Sequence, residues 1–328
     1  MKNKIKNSRV LVTGGAGFIG SNLIEDLLIY ENEVVCLDNL VTGKKDNIVG
    51  FLSNKNFSFI EGDIRDIKIC QKACDCIDYV LHQAAIGSVP RSIKDPYFTS
   101  DVNIMGFINM LIAARDSNVK RFIYAASSST YGDSKELPKI EDNIGNPLSP
   151  YAITKYVNEL YAKNFYELYG LDSIGLRYFN VFGKRQDPHG AYAAVIPRFV
   201  SSLIKYKNPV INGDGSYSRD FTYIDNVILI NHLSCLVKNP ESLNTVYNVA
   251  HGEKTNLNQL FIILRDSLAE YDKKISTLDV IHGAFRDGDI PHSLASIDKA
   301  KKLLNYNPRY TFDEGIKLTA KWYYQNYK

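Results

Sequence analysis

The chain has 328 residues, of which 45% are hydrophobic and 23% charged, an ordinary balance for a globular fold with a sizeable core. Its 39 basic and 36 acidic residues leave a net charge of +3, which gives no reason to propose nucleic acid or an anionic membrane as a partner. Because no apolar run approaches the ~20 residues of a membrane span, and the N-terminal segment lacks the apolar core of a signal peptide, we expect a cytoplasmic protein.

The five cysteines fit the same expectation, since an odd number without a regular spacing predicts no disulfide framework. Cys70, Cys74 and Cys76 lie close to His82 in the sequence, a combination that could bind zinc. However, Cys74 and Cys76 are separated by one residue at a predicted helix end, so they point to different faces. His82 belongs to the next apolar run, and we therefore expect no metal site.

Strand-like and helix-like segments alternate through the first half of the chain. Short runs rich in β-branched or aromatic residues predict strands within 9–15, 33–39, 56–64, 78–85 and 121–129. Apolar residues at helical spacing predict helices within 20–31 and 101–119. This alternation predicts a doubly wound α/β fold with a parallel sheet covered on both faces, whose ligands bind beyond the carboxyl ends of the strands.

A glycine-rich turn follows the first predicted strand. In TGGAGFIGS, Gly14, Gly17 and Gly20 are three residues apart between a strand and a helix, where the backbone can approach a pyrophosphate at the helix N-terminus. Asp38 ends the second strand, at the distance where a carboxylate hydrogen-bonds the ribose of a dinucleotide. Because this carboxylate repels a 2′-phosphate and Asn39 is uncharged, the sequence predicts NAD rather than NADP.

Tyr151 and Lys155 are four residues apart in LSPYAITKY, so they share one face of a predicted helix. Spacing by itself fits two ordinary surface residues equally well. Ser127, at the end of the fifth strand, changes the interpretation, because Tyr, Lys and Ser beside a nicotinamide suffice for alcohol oxidation. Lowering a phenol pKa from about 10 to about 7 requires ~4 kcal/mol. A lysine ammonium at ~5 Å supplies roughly 3 kcal/mol at an effective dielectric of 20, and the cofactor's positive ring supplies the remainder.

Motifs along nearly the whole chain resemble those of the extended short-chain dehydrogenase/reductases that act on nucleotide sugars. They are LVTGGAGFIGS, EGDIRD, HQAA, YAITK, LRYFNVFG, GDGSYSRDFTYIDN and FRDGDIPHS, in the family's order. HQAAIGSVPRS and NVFGKRQDPHGAYAAVIPRF are most similar to bacterial UDP-N-acetylglucosamine 4-epimerases. The resemblance implies a Rossmann sheet with a smaller C-terminal α/β substrate domain, a tightly bound NAD, a UDP-sugar substrate and a homodimer. It also implies a role in surface-polysaccharide biosynthesis.

The resemblance assigns site residues in three groups. Catalysis falls to Ser127, Tyr151 and Lys155. Cofactor contacts fall to Gly14, Gly17, Phe18, Ile19, Gly20, Asp38, Asn39, Asp63, Ile64, Gln83, Ala84, Ala85, Asn103, Tyr151, Lys155 and Tyr178. Substrate contacts fall to Ser88, Ser128, Ser129, Asn180, Val195, Arg219, Arg286, Asp289 and Ser293, with the two arginines on the diphosphate and Asp289 on the uridine ribose.

Two positions separate functions within the family. Related 4,6-dehydratases carry an Asp-Glu pair where this chain has Ser128 and Ser129, so the acid pair needed for water loss is absent. Ser293 occupies a position where related epimerases for plain hexoses carry a tyrosine, and a small residue there leaves room for an N-acetyl group. An ordinary loop serine is the alternative interpretation of Ser293.

The sequence therefore predicts an epimerase that interconverts UDP-GlcNAc and UDP-GalNAc through a 4-keto intermediate. A plain UDP-hexose, a UDP-N-acetylhexosaminuronic acid, a 4,6-dehydratase and a non-catalytic NAD-binding regulator are the alternatives. We expect an NAD-binding domain in 1–180 with a returning segment near 216–250, and a substrate domain in 181–215 and 251–328. Helices near 101–116 and 151–169 are expected to form the dimer interface.

Overall fold

A seven-stranded parallel sheet forms the centre of the computed structural model, which describes residues 3–189, 193–285 and 291–328. The strands lie in the order β3-β2-β1-β4-β5-β6-β11, and every neighbouring pair is parallel. They are β1 (Arg9–Thr13), β2 (Glu33–Asp38), β3 (Phe57–Glu61), β4 (Tyr79–His82), β5 (Arg121–Ser127), β6 (Ser173–Tyr178) and β11 (Thr245–Val249). The predicted doubly wound fold is confirmed, and the strand order reverses between β1 and β4.

Helices cover both faces of this sheet. They are α1 (Phe18–Ile29), α2 (Ile67–Cys74), α3 (Val89–Lys94), α4 (Pro96–Ser100), α5 (Gly106–Asp116), α6 (Pro150–Tyr169) and α8 (Ile224–Leu236). Alternate residues of β1 show the two faces directly, because Val10 and Val12 belong to one buried cluster and Leu11 to another. Burial on both faces explains why these strands have nearly continuous apolar sequences.

Element boundaries differ from the sequence predictions at helix ends. The first helix begins at Phe18, two residues before the predicted start, because the glycine turn itself ends at Gly17. The helix predicted within 101–119 is divided into a π-type turn at Asp101–Met105 and α5, which ends at Asp116. Periodicity alone does not detect these boundaries, since the hydrophobic pattern continues through them.

The elements of the C-terminal part of the chain lie in two places, some on or in the central sheet and others away from it. α8 packs on α1 and β11 extends the central sheet next to β6. The helices α7 (Val195–Ile204), α9 (Leu257–Ala269) and α11 (Phe312–Tyr327) pack on one another away from the sheet, and α10 (Asp298–Leu304) packs against β11. Three two-stranded ladders accompany them: β7 (Val181–Phe182) with β10 (Thr222–Tyr223), β9 (Ser218–Arg219) with β12 (Thr255–Asn256), and β8 (Val210–Asn212) with β13 (Ile281–Gly283).

Asn248 joins the end of the sheet to the C-terminal part. Its Oδ1 accepts a hydrogen bond from the Tyr131 hydroxyl at 2.7 Å. Its Nδ2 donates to the carbonyls of Lys139 at 2.9 Å and Ser296 at 3.0 Å. A fully buried amide with three partners in three segments fixes those segments relative to one another.

The described residues hold no helix that is both long and apolar enough to cross a membrane. They also hold no group of three or more His, Cys, Asp or Glu residues arranged for a metal ion. Cys70 and Cys74 are buried on α2, whereas Cys76 is exposed beyond its end.

His82 is buried in a cluster of aromatic rings at the end of β4. It hydrogen-bonds Thr13 Oγ1 through Nδ1 at 2.8 Å and stacks on Phe122. Burial, assisted by the charge of Lys155, lowers the pKa of His82 from 6.5 to about 3. The unfolded chain binds a proton at this site below pH 6.5 and the folded chain does not, so acidification through this range favours unfolding.

In the parent protein, the free energy of unfolding should fall between pH 7 and pH 5. We predict that this fall is about 2 kcal/mol smaller in His82→Gln, because the substituted side chain does not titrate. Urea unfolding at the two pH values measures this difference. His282→Gln, at an exposed position, is the matched control and should retain the parent pH dependence. Equal pH dependence in His82→Gln and the parent protein would show that His82 is not the group responsible.

Candidate active site

The turn between β1 and α1 packs against the backbone that follows β4. Gly14 has a φ of +66°, and a Cβ there would lie 2.7 Å from the Ala84 nitrogen. A Cβ on Gly20 would lie 2.2 Å from the Gly14 carbonyl oxygen. Only glycine allows this approach, which leaves the first turn of α1 facing a cavity with no side-chain cap on its N–H groups. Such a helix N-terminus is suited to a pyrophosphate.

Asp38 lies at the end of β2 with its carboxylate held by the backbone. Its Oδ2 accepts from the Ala16 nitrogen at 2.9 Å and its Oδ1 accepts from the Leu40 nitrogen at 2.8 Å. Burial raises the pKa of this carboxyl, and the two backbone hydrogen bonds oppose the rise. Each oxygen keeps a second lone pair, so the carboxylate can still accept from ribose hydroxyls.

The buried amide of Gln83 has unmet hydrogen-bonding capacity in the protein. Its Oε1 and Nε2 atoms are both shielded from water, and neither makes a well-formed hydrogen bond within the described parts of the chain, although the Tyr178 hydroxyl is a neighbour that interacts with this amide. A buried amide left unpaired costs free energy, so this side chain is suited to a polar ligand in the cavity beside it. The glycine turn, the Asp38 carboxylate and the Gln83 amide together fit a dinucleotide.

These groups line one cavity of about 730 Å³ at the carboxyl ends of the strands. Of the residues predicted to contact the cofactor, those that line it are Gly14, Gly17, Phe18, Ile19, Gly20, Asp38, Asn39, Ile64, Gln83, Ala84 and Ala85. The remaining predicted residues, which do not line it, are Asp63, Asn103, Tyr151, Lys155 and Tyr178.

Three of these remaining residues already have partners in the protein. Asp63 accepts from Asn39 Nδ2 and from Arg65, whose hydrogen bonds lower the Asp63 pKa to about 2. Asn103 bonds both backbone groups of Ile86 and donates to Thr154 Oγ1 at 3.1 Å. The buried Tyr178 hydroxyl accepts from Asn231 at 3.0 Å. The hydrogen bonds of these three residues hold the residues behind the cavity wall in place. The position of a residue in a family motif does not by itself reveal this role.

The sequence interpretation missed the loop after Asp38 and part of the segment after β7. Val41, Thr42, Gly43 and Lys44 line the cofactor cavity. Lys44 also forms an ion pair with Asp187 at 2.9 Å, and both residues line that cavity. The available signal was the Thr-Gly-Lys sequence at 42–44, which begins four residues after Asp38, although a charged loop is more often only solvated.

Tyr151 and Lys155 lie in the first turns of α6. Ser149 caps this helix by accepting from the Ala152 nitrogen at 3.2 Å, and Pro150 occupies its first position. Lys155 is buried and its Nζ donates to the Ala125 carbonyl of β5 at 2.8 Å. Burial lowers the Lys155 pKa to about 8. The helix thus holds an ammonium against the strand whose last residue is Ser127.

Ser127 and Tyr151 face each other across the ends of β5 and α6. The Ser127 hydroxyl lies 2.8 Å from the Ser129 hydroxyl and accepts from the Ser129 nitrogen at 3.2 Å. Burial raises the pKa of Tyr151, and an interaction with the Ser127 hydroxyl opposes that rise. We expected Lys155 to lower the Tyr151 pKa, but in this arrangement burial dominates and the lysine ammonium bonds the Ala125 carbonyl instead.

A second cavity of about 650 Å³ adjoins the first. Four residues line both cavities: Ser88, Gln186, Ala193 and Ala194. Gln186 was not identified from the sequence, and its buried Oε1 has no hydrogen-bond partner in the described segments. A ligand in the second cavity would therefore meet a ligand in the first.

Four of the predicted substrate residues line the second cavity: Ser88, Asn180, Val195 and Arg219. Asn180 donates to the Asp220 carbonyl at 3.0 Å, and Arg219 donates to the carbonyls of Ser218 at 2.9 Å and Pro291 at 3.2 Å. These bonds hold the guanidinium at the cavity wall, where it can meet an anion.

The other predicted substrate residues are placed differently. Ser128 and Ser129 lie in a 3₁₀ turn at Ser128–Tyr131 and do not line either cavity. Ser293 also lies outside the cavity lining, and its nitrogen donates to the Ser218 carbonyl at 3.0 Å, next to Arg219. Arg286 and Asp289 fall outside the described residues.

Comparison with known proteins agrees with this geometry. Residues 10–250 match the NAD dependent epimerase/dehydratase family. A putative UDP-glucose 4-epimerase from Methanocaldococcus jannaschii is 37% identical over 324 residues, which cover 97% of this chain and 99% of that protein.

Solved structures superpose over almost the whole chain. The UDP-N-acetylglucosamine 4-epimerase from Methanobrevibacter ruminantium M1, in complex with UDP-N-acetylmuramic acid, has a TM-score of 0.90 at 40% identity and covers 98% of this chain and 99% of its own. The UDP-glucose 4-epimerase from Thermotoga maritima, with UDP-glucose, has a TM-score of 0.88 at 35% identity and covers 98% and 100%. As the sequence resemblance predicts, the chain belongs to the NAD-dependent epimerase/dehydratase family and its cofactor is NAD.

Proposed function

We propose that this chain is a UDP-N-acetylglucosamine 4-epimerase, which interconverts UDP-GlcNAc and UDP-GalNAc through a 4-keto intermediate. The observation that carries the proposal is the junction of the two cavities: because four residues line both, a sugar in the second cavity would lie beside a cofactor in the first. Relatives that are UDP-sugar 4-epimerases over nearly their whole length support the reaction class.

Tyr151, Ser127 and Lys155 carry the proton chemistry in this proposal. The Tyr151 phenolate takes the proton of the C4 hydroxyl while C4 gives up its hydride, and the phenol later returns the proton to the same oxygen. The Ser127 hydroxyl donates a hydrogen bond to that oxygen, and the Lys155 ammonium stabilises the phenolate. NAD bound in the first cavity would supply the hydride acceptor and, after the sugar turns, the hydride donor to the opposite face of C4.

Stabilisation of the phenolate is the demanding part of this chemistry. Burial raises the Tyr151 pKa and lowers that of Lys155, so burial disfavours the charged form of both residues. Positive charge beside the phenol must offset this effect. Lys155 is one source while it stays protonated, and the oxidised nicotinamide is the second.

The second cavity supports a nucleoside diphosphate-sugar. Arg219 and Asn180 line it and offer N–H donors of the kind that bind phosphate oxygens. Arg286 on the diphosphate and Asp289 on the ribose stay predictions from the sequence. In this proposal the diphosphate is held firmly while the sugar ring is free to turn.

The N-acetyl preference depends on Ser293 and on the resemblance. Ser293 lies beside β9, whose Arg219 lines the substrate cavity, and it carries a small side chain. The 40% identical relative that is a UDP-N-acetylglucosamine 4-epimerase supports the same preference.

Four alternatives to this function remain. A plain UDP-hexose is favoured by the relatives described as UDP-glucose 4-epimerases, and a UDP-N-acetylhexosaminuronic acid is compatible with the sequence. A 4,6-dehydratase is disfavoured by Ser128 and Ser129, which lack a carboxylate for C5. A non-catalytic regulator is disfavoured by the presence of Ser127, Tyr151 and Lys155.

We propose that residues 1–180, with the returning segment near 216–250, form the NAD-binding unit, and that 181–215 and 251–328 form the substrate unit. The position of β11 in the central sheet and the packing of α8 on α1 support the returning segment. A cytosolic setting and a role in surface-polysaccharide assembly are part of the same proposal. Cell fractionation and the glycan composition of a deletion strain test them.

We predict that the purified protein, without added NAD, converts UDP-GlcNAc to a constant mixture with UDP-GalNAc, followed by proton NMR of the anomeric and H4 signals. Tyr151→Phe should lower the rate by roughly 10³-fold while retaining fold and NAD content, because it removes only the proton acceptor. Tyr166→Phe, at an exposed position on the same helix, is the control. A 4-keto-6-deoxy product, or no turnover even with added NAD, would contradict the epimerase assignment.

Ser293→Tyr is expected to narrow the sugar pocket. We predict that kcat/KM for UDP-GlcNAc falls by at least roughly tenfold relative to UDP-glucose, because the phenol ring occupies the space of the N-acetyl group. Parallel NMR assays with the two substrates measure the ratio. Ser276→Tyr, on the exposed surface, controls for the added ring. If Ser293→Tyr leaves the ratio of the two kcat/KM values unchanged, Ser293 is not the cause of the preference for an N-acetylated sugar.

We propose a homodimer through the outer faces of the helices near 101–116 and 151–169. Ile153 and Leu160 are about half exposed and seven residues apart on α6, and the half-exposed Met105 precedes the packed helix α5. Sedimentation should give twice the chain mass of 37.0 kDa. Leu160→Glu should shift the protein toward monomer, whereas Ile262→Glu, equally exposed on α9, should not. A monomeric parent protein would exclude this arrangement.

A further inference from the structure

α6 carries three ionisable side chains at successive four-residue intervals. Tyr151, Lys155 and Glu159 are therefore neighbours along one face of the helix, with roughly one turn between each pair. Lys155 and Glu159 are both buried on that face. The proposed function uses the first two residues and leaves the buried carboxylate of Glu159 without an assigned role.

Arg177 of β6 holds the Glu159 carboxylate in a fixed position. Its Nε donates to Glu159 Oε1 at 2.9 Å and its Nη2 donates to Oε2 at 2.7 Å, a bidentate pair. Arg177 Nη1 also donates to the Glu141 carbonyl at 2.8 Å, and the guanidinium lies over the Tyr131 ring at 4.9 Å. The carboxylate cannot swing to solvent, so its charge acts at a constant distance from Lys155.

Lys155 is the buried cation closest to Glu159 along the helix. Its Nζ bonds the Ala125 carbonyl at 2.8 Å, a neutral acceptor, so this hydrogen bond does not neutralise the ammonium. Burial lowers the Lys155 pKa to about 8, and the Glu159 charge opposes that effect. Without the carboxylate, the effect of burial would be unopposed and the ammonium would lose its proton at a lower pH.

We propose that Glu159, clamped by Arg177, is a positioning residue that keeps Lys155 protonated beside Tyr151 at neutral pH. Glu159 acts through Lys155 and touches neither substrate nor cofactor. The inference rests on the proposed function for its catalytic consequence, since Lys155 stabilises the Tyr151 phenolate there. The effect of Glu159 on the protonation of Lys155 can be measured whether or not the protein turns over a substrate.

Other titratable or charged groups lie around this pair. Those that act on Lys155 or Glu159 are His82 on β4, Tyr124 on β5 and Arg177 on β6, and Tyr151 precedes Lys155 on α6. Arg177 is the cation among them and partly offsets the Glu159 charge. His82 and Tyr124 are buried and have pKa values displaced toward their neutral forms, so neither supplies a charge at pH 7. Glu159 is therefore the anion among these groups that can support the ammonium.

The test is an NMR titration of the Lys155 side chain in NAD-loaded protein with ¹³C-labelled lysine, assigned by its loss in Lys155→Met. We expect the Lys155 titration in Glu159→Gln to lie about one pH unit below that of the parent protein. Glu159→Asp should restore most of the difference, because it keeps the charge. Glu167→Gln, an exposed glutamate near the end of the same helix, is the control and should titrate as the parent does.

Turnover gives an independent measurement. The alkaline limb of the kcat profile should move to lower pH in Glu159→Gln by the same amount, with a loss of about threefold at pH 7.5. An unchanged Lys155 titration in folded Glu159→Gln would overturn the proposal. So would a pH-independent loss of kcat, which a merely structural role produces.

A second variant covers the case in which Glu159→Gln does not fold, because a lone Arg177 in the interior is destabilising. Glu159→Leu combined with Arg177→Met removes the carboxylate together with the guanidinium that partly offsets its charge, so the Lys155 titration should fall by less than in Glu159→Gln. A Lys155 titration at or above the parent pH in this double variant overturns the proposal. A parent protein without epimerase turnover would refute the proposed function, and the NMR titration would still decide the role of Glu159.

Discussion

The close approach of two backbones at the carboxyl edge of the sheet fixes the position of the cavity in which we propose that this protein binds NAD. The turn after β1 passes so near the chain after β4 that a side chain on Gly14 would overlap the Ala84 backbone. This contact lies where the strand order reverses, so the loops on either side diverge and leave a cavity between them. The Asp38 carboxylate, the Gln83 amide and the N-terminus of α1 all reach that cavity because their strands end at the same edge.

Burial controls the electrostatics of the proposed catalytic pair. It raises the pKa of the Tyr151 phenol and lowers that of the Lys155 ammonium, so each residue by itself favours its neutral form. A charged pair forms only if opposite charges stabilise each other in a site that water does not screen. The Glu159 carboxylate, held in a bidentate pair by Arg177, lies one turn further along α6 from Lys155.

Hydrogen bonds connect the strand end that carries Ser127 with the segment that carries Ser293. Tyr131, in the turn after Ser127, bonds Asn248, and Asn248 bonds the carbonyl of Ser296. Asp220 strengthens the same region, since its carboxylate accepts from the backbone of His251, Gly252 and Ala295 next to the cavity-lining Arg219. The proposed catalytic groups and the proposed substrate groups are thus held in one rigid network of buried polar contacts.

Local patterns in the sequence predicted the parallel sheet, the glycine turn with Asp38, and the positions of Tyr151 and Lys155 on α6. Each is a short-range consequence of backbone sterics or helical spacing, and the family motifs extended them to Asn180 and Arg219. Sequence reasoning missed Gln186, Lys44 and Asp187, because their contribution to the cavities depends on segments far apart in the chain.

The sequence by itself therefore determined the fold class and the glycine turn with Asp38, and it predicted the reactive side chains, because residue type and spacing encode local geometry. Only the tertiary structure decided that Asn103 bonds the backbone of Ile86, that the Tyr178 hydroxyl bonds Asn231, and that burial raises the Tyr151 pKa. Hydrogen-bond partners and solvent exclusion arise from packing between distant segments, and no local pattern specifies them.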